Sequence, residues 1–120
     1  MHTVFFLQII IGDERSFTFD GAFDIGTRQD ALYDKCVKNL VEGTFDGFNA
    51  TVLAYGQTGS GKTYTMGTAF DLMDVMQASE IGIVPRAIEH LFTEMEERKR
   101  QAVEQGLIEP CFDIVAQFVE

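Results

Sequence analysis

Positive charge is scarce in this chain. Its 120 residues carry 9 lysines and arginines against 19 aspartates and glutamates, a net charge of −10, and the isoelectric point lies near 4.5. Nucleic acid binding needs cations to neutralise phosphates, and a surface this acidic is equally ill-suited to gripping another acidic surface. Cysteine is nearly absent too. Cys36 and Cys111 lack C-x-x-C spacing and neighbouring histidine pairs, which excludes a recognisable zinc site or disulfide framework. They are expected to be small buried hydrophobes in a reducing cytosol. No long hydrophobic run is present. The apolar start, Met1 to Ile11, is too short to span a bilayer, lacks a basic flank and runs into Gly12-Asp13-Glu14-Arg15, unlike a signal peptide. Neither nucleic acid nor membrane is an expected partner. Repeats, low-complexity tracts and coiled-coil heptads are also missing, so nothing supports dimerisation.

What is present starts with 46% apolar residues, ample for a globular core and against disorder. Residues 1–120 are expected to form one domain at most, or a portion of one. Within them, Gly56-Gln57-Thr58-Gly59-Ser60-Gly61-Lys62-Thr63 matches the phosphate-binding loop G-x-x-x-x-G-K-S/T in full. Glycines let the backbone turn with positive φ and approach a phosphate without a Cβ in the way. Successive N–H groups then form an anion nest above the positive end of the following helix. Lys62 would reach the β- and γ-phosphates, and the Thr63 hydroxyl would take one position on Mg²⁺. A glycine-rich turn with a merely solvated lysine is the alternative. The flanks count against it: Thr51 to Tyr55 is apolar on both faces, as for a central parallel strand, and Thr63 to Met66 suits a first helical turn.

Along the rest of the chain, Val4 to Ile11 and Ser16 to Phe19 are expected to be strands around a Gly12-Asp13 turn. Thr27, with Asp30 three positions on, suits an N-cap. The helix it opens would bury Leu32, Cys36, Val37, Leu40 and Val41 and place Gly43 at C′. Phe45 and Phe48 are expected to seal its end. Pro85 fits the first turn of a later helix, with Ile88, Leu91, Phe92 and Met95 as a core stripe. Glu94–Arg98 and Glu96–Arg100 have the spacing of surface ion pairs. Gly106 and Pro110 end that helix, and Cys111 to Val119 alternates like a strand, with Phe112, Ile114, Ala116 and Phe118 on its buried face.

The segment Phe45 to Gly67, which includes Phe48-Asn49-Ala50-Thr51-Val52-Leu53-Ala54-Tyr55 and the phosphate loop, resembles the signature of the kinesin motor domain. Phe17-Thr18-Phe19-Asp20 with Phe23, Gly82-Ile83-Val84-Pro85-Arg86, and Asp113 to Glu120 resemble further family elements in family order, from residue 16 to the last. Gly67 to Asp71, with the acidic helix after Pro85, is most similar to the kinesin-4 group. The resemblance implies an α/β fold of the P-loop NTPase kind: three layers α/β/α, a partial kinesin motor with an incomplete central sheet. It implies ATP or ADP and Mg²⁺ held by Gly56, Gln57, Thr58, Gly59, Ser60, Gly61, Lys62 and Thr63, with Tyr64 beside the ribose or adenine. Phe70 to Glu80 would be the insertion near the nucleotide.

The parent implied by this resemblance is a microtubule-stimulated ATPase of the cytoplasm and cytoskeleton, with tubulin as its partner. The family's adenine-packing R-x-R-P element would precede residue 1. Its two switches, N-x-x-S-S-R-S-H and D-L-A-G-x-E, would follow residue 120. The segment alone is accordingly expected to lack a complete catalytic set and any track-binding face. A non-enzymatic truncated or degenerate P-loop fragment is the alternative, and the lead-in from Asn49 to Tyr55 speaks against an unrelated P-loop kinase or GTPase.

Overall fold

Four side chains at four-residue spacing organise the structure: Gln29, Tyr33, Val37 and Val41, each less than a tenth exposed. Side chains four apart stack on one helix face, so together they form one buried stripe across α1 (Gln29–Cys36) and α2 (Lys38–Thr44). The helices meet at Val37, whose φ of −118° bends the chain, while the Val37 N–H still donates to the Tyr33 carbonyl and the Val41 N–H to that of Val37. The computed structural model describes residues 8–12, 15–67 and 80–119.

The stripe lies one step round the helix from the anticipated one. Val37 and Val41 are buried as expected, but Leu32 is only half-buried, Cys36 is exposed, and Leu40 is 41% exposed. Tyr33, an amphipathic residue, takes the place expected of the smaller apolar ones. The cap differs as well. Arg28 occupies the N-cap position without any side-chain cap bond, and the Thr27 N–H donates instead to the Asp24 carbonyl at 2.9 Å. Gly43 sits inside α2, and the C-cap is Phe45.

Against this stripe packs the long helix α4 (Ile83–Glu104), preceded in the chain by the short α3 (Lys62–Met66). Tyr33, Val37, Val41 and Ile83 form the core cluster, with Leu32, Met66, Ala87 and Leu91 packed on it. Leu91 is thus the member of the expected α4 stripe that reaches the cluster; Ile88 and Phe92 are exposed. Pro85 lies in the first turn, as its missing N–H favours. The helix ends in a Schellman closure: the Leu107 N–H donates to the Ala102 carbonyl at 2.8 Å and the Gly106 N–H to that of Val103 at 3.0 Å. On its outer face Arg98 pairs with Glu94 at 3.3 Å as expected, but Arg100 pairs with Glu97 and Glu104. Glu96 faces Lys99 instead, at 4.0 Å.

β1 (Gln8–Ile11) and β2 (Arg15–Thr18) pair antiparallel, with Gln8 opposite Thr18 and Ile11 opposite Arg15. This hairpin is the strand pairing among the described residues; the expected stretch Val4 to Leu7 lies outside them. Two anticipated strands are not formed. Residues 51–56 and 107–119 run without regular structure, leaving Leu53 85%, Tyr55 97% and Val115 89% exposed. The physical reason is lateral. A strand is held by hydrogen bonds to a neighbour, and a central parallel strand gains its burial only when strands flank it and helices cover both faces. Among the described residues, neither run is paired with a strand. Contacts with α2 and α4 hold 107–119: Phe112 meets Phe45 edge-on at 5.5 Å, the Arg98 guanidinium lies 4.7 Å from the Phe45 ring centre, and Lys99 pairs with Glu109 at 3.8 Å. Phe48, expected to share that seal, is 71% exposed. Both cysteines are free and exposed, contrary to the expected burial. The radius of gyration, 17.6 Å, exceeds the roughly 14 Å of a compact domain this long.

Candidate functional site

The phosphate loop is built by glycine geometry. Gly59 and Gly61 have φ of 80° and 91°, in the left-handed region that a side chain disfavours. Gly61 is at once the N-cap of α3 and carries no side-chain cap, so the first amides of that helix have neither a carbonyl of their own helix nor a cap to donate to. The turn is closed by the Ser60 N–H, which donates to the Gln57 carbonyl at 3.2 Å. At Gly56 a Cβ would stand 2.5 Å from Ser60 Oγ, so this position admits no side chain while Ser60 holds its place.

Lys62 opens α3 and folds back over the loop. Its Nζ donates to the carbonyls of Gly56 and Gln57, each at 2.8 Å. The ammonium thereby lies over the loop carbonyls. Thr63 follows on the exposed side of the same turn, and Tyr64 is 53% exposed. Gln57, Thr58, Gly59, Ser60 and Gly61 are exposed as well, and Gly56 is half-buried. The nine anticipated residues therefore form one contiguous surface at the head of α3. Of the expected insertion, residues 70–79 lie outside the described residues.

Sequence reasoning missed Gln29. Its side chain is 4% exposed, and its Nε2 donates to the Tyr64 carbonyl at 2.8 Å, tying α1 to the helix that bears Lys62 and Thr63. Only the structure's stripe through Tyr33, Val37 and Val41 points to it: a polar residue at its head has no reason to be buried unless something accepts its hydrogen bond. Gly67 and Gly82 were also overlooked. A Cβ on Gly82 would lie 2.4 Å from the Gly67 nitrogen, so the end of α3 and the start of α4 touch backbone to backbone. Arg86 adds a bond to the Ile81 carbonyl at 2.7 Å.

His90 sits half-buried on α4. Its Nδ1 shares a 2.9 Å hydrogen bond with the Tyr33 hydroxyl, the two rings meeting edge-on at 6.1 Å. Burial, with the nearby charges of Asp34 and Glu42, pushes the Tyr33 phenol up to about 12. This pair links α1 to α4 and lies outside the loop. A groove of about 1000 Å³ along α4, between Phe92 and Glu109, is likewise lined by none of the loop residues. Among the described residues, no three His, Cys, Asp or Glu groups converge to hold a metal, and no helix is long and apolar enough to cross a membrane.

The family model of the kinesin motor domain matches residues 9–120. The chain belongs to the kinesin motor-domain family. Kinesin-like protein klp-12 of Caenorhabditis elegans is 58% identical over 113 residues, which are 94% of this chain and 7% of that protein. Chromosome-associated kinesin KIF4 of Mus musculus is 47% identical over 91 residues, 76% of this chain and 7% of that protein, in keeping with the kinesin-4 likeness. Among solved structures, Drosophila NOD in complex with divalent manganese and ADP is similar with a TM-score of 0.70 at 37% identity, over 77% of this chain and 31% of that one. NOD docked with bovine tubulin into a map of its nucleotide-free microtubule complex gives 0.72 at 36% identity, over 79% and 32%. The kinesin segment thus spans 7% of the curated relatives and about a third of the solved motor chains. These likenesses bear out the α/β motor fold with an incomplete central sheet, while the helical framework and phosphate loop are the parts of it that stand formed here.

Proposed function

We propose that Gly56 to Thr63 bind Mg-ATP, and its product ADP, as the phosphate-gripping part of a kinesin-like motor that hydrolyses ATP to move along or regulate microtubules. One observation carries this reading: two left-handed glycines lead into α3, and Lys62 at its head folds back onto the loop carbonyls of Gly56 and Gln57. The NOD structures support the ligand class and the track, since one holds ADP with divalent manganese and another is docked with tubulin. The cytoskeleton is the corresponding location.

Phosphoryl transfer asks the protein to cradle phosphates, place a metal, stabilise charge and orient a water. Loop amides and Lys62 serve the first and third of these. Thr63 would offer its hydroxyl to Mg²⁺, which when bound would neutralise phosphate charge. Tyr64, exposed beside Thr63, is positioned to border the ribose or base. The 120 residues contain neither N-x-x-S-S-R-S-H nor D-L-A-G-x-E. Water orientation and track coupling therefore belong to other parts of a motor, and this segment alone does not carry out microtubule-stimulated hydrolysis.

Calorimetry on folded protein tests the reading. Heat is expected with Mg-ATP and Mg-ADP, and Lys62→Ala is expected to weaken binding by about tenfold or more, some 1.4 kcal/mol. No heat with the unaltered protein refutes it. Microtubule-stimulated turnover by the 120-residue segment, lost in Lys62→Ala, would refute the statement on hydrolysis. A second reading, a non-enzymatic P-loop fragment, is favoured by the exposed apolar runs 51–55 and 111–119, which leave apolar surface uncovered. A cooperative melt shifted upward by Mg-ATP decides for the first reading, and a melt without nucleotide shift decides for the second.

A further inference from the structure

We propose that Gln29 is a positioning residue for the phosphate loop, acting through the Tyr64 carbonyl; the proposal rests on the nucleotide reading above. A helix of five residues has little stability of its own, and its last carbonyls have no partner within the helix. Tyr64 contributes one of these in α3 (Lys62–Met66). The Gln29 amide satisfies it at 2.8 Å from a position 4% exposed, on a side chain 35 residues away in sequence. Packing alone does not explain this residue. Tyr33, Val37 and Val41 continue its stripe, and an apolar side chain would suit the same burial. The glutamine instead carries Oε1 buried without a hydrogen-bond partner among the described residues, an arrangement that costs stability. The gain is the Nε2 bond alone.

The consequence reaches the loop because α3 is so short. The residue after Tyr64's second neighbour is Gly67, already in backbone contact with Gly82. The far end of α3 is therefore clasped by α4, and its middle by α1. With both holds in place, Lys62 and Thr63 at the head of α3 keep one orientation relative to the loop carbonyls of Gly56 and Gln57. Without the Gln29 hold, α3 turns about its clasped end, and the lysine and hydroxyl must be ordered by the nucleotide itself. Ordering lost before binding appears as weaker affinity.

The test uses Gln29→Leu and Gln29→Met, both of similar volume and without a donor, in the full-length protein, with Lys62→Ala beside them. Mg-ADP affinity is read by titration, and hydrogen exchange is read at the amides of residues 62–67. Both Gln29 variants are expected to bind Mg-ADP about tenfold more weakly, by analogy with the loss of groups that orient a binding residue from behind. Exchange is expected to quicken in α3 while α1, α4 and the melting temperature hold. Unaltered affinity in both variants, or exchange quickened equally across α1 and α4 with a lowered melt, overturns the proposal. If Lys62→Ala leaves affinity untouched, the nucleotide reading fails instead. The exchange measurement, made without nucleotide, then still decides whether Gln29 holds α3.

Discussion

Val37 and Val115 are the same residue, yet Val37, in the more polar stretch, is 3% exposed and Val115, in the more apolar one, is 89% exposed. Val37 lies where α1 and α2 join, on a stripe whose partners Tyr33 and Val41 stand four residues away on the same helical face and whose neighbour Ile83 arrives with α4. A helix satisfies its own backbone, so it needs only one packed face to persist. Val115 lies in an extended run, whose backbone bonds must come from beside it. The difference between the helical and extended parts of the molecule is therefore one of where the partners come from, not of how apolar the residues are.

The largest expected effect strikes the helical side. Val37→Asp buries a carboxylate in the apolar cluster of Tyr33, Val41 and Ile83 and should cost on the order of 3 kcal/mol in a denaturant melt. Val115→Asp, by contrast, should change the melt by less than about 0.5 kcal/mol. Equal losses at both sites would erase the contrast. Next comes the α3–α4 clasp: Gly82→Val places a Cβ 2.4 Å from the Gly67 nitrogen, and a cost of about 1–3 kcal/mol is expected from forced displacement, measured in the same melt.

A smaller effect is expected at Tyr33. Tyr33→Phe removes the hydroxyl shared with His90 and should cost about 1 kcal/mol near neutral pH. The pH dependence has a definite sign. Burial raises the folded-state phenol from 10.0 to about 12, so the neutral form is favoured by folding. That contribution is complete below pH 10 and disappears as pH climbs from 10 to 12. Phenolate absorbance should show a component near pH 12 that Tyr33→Phe abolishes; its persistence in the variant would assign it elsewhere. The smallest effect belongs to the solvated face of α4. Arg100→Ala loses exposed pairs with Glu97 and Glu104 and should leave the melt almost unmoved, with any shift shrinking further in salt.

The parts legible in the sequence share one property. The loop Gly56 to Thr63 is specified by contiguous residues, since φ at Gly59 and Gly61 and the reach of Lys62 are settled within eight positions. α4 was equally legible in extent, from Pro85 near its start to Gly106 past its end, because helix signals are local. Its inward face was less so. Ile88 and Phe92 have the period of a core stripe but lie exposed, because periodicity says which residues share a face and not what covers it. The same holds for Leu32, Cys36 and Leu40, displaced by the stripe through Tyr33. Residues 111–119 alternate as a strand should, and alternation supplies no neighbour.

By itself, then, the amino-acid order determined the phosphate loop, the helices and the family, because each is written in short-range spacing that backbone geometry and local chemistry can execute. Tertiary structure alone decided which faces of those helices are buried, that Gln29 grips the carbonyl of Tyr64 from 35 residues away, that Gly67 meets Gly82, and which apolar runs stay uncovered. These depend on contacts between segments remote in the chain, and no local pattern encodes the partner on the other side.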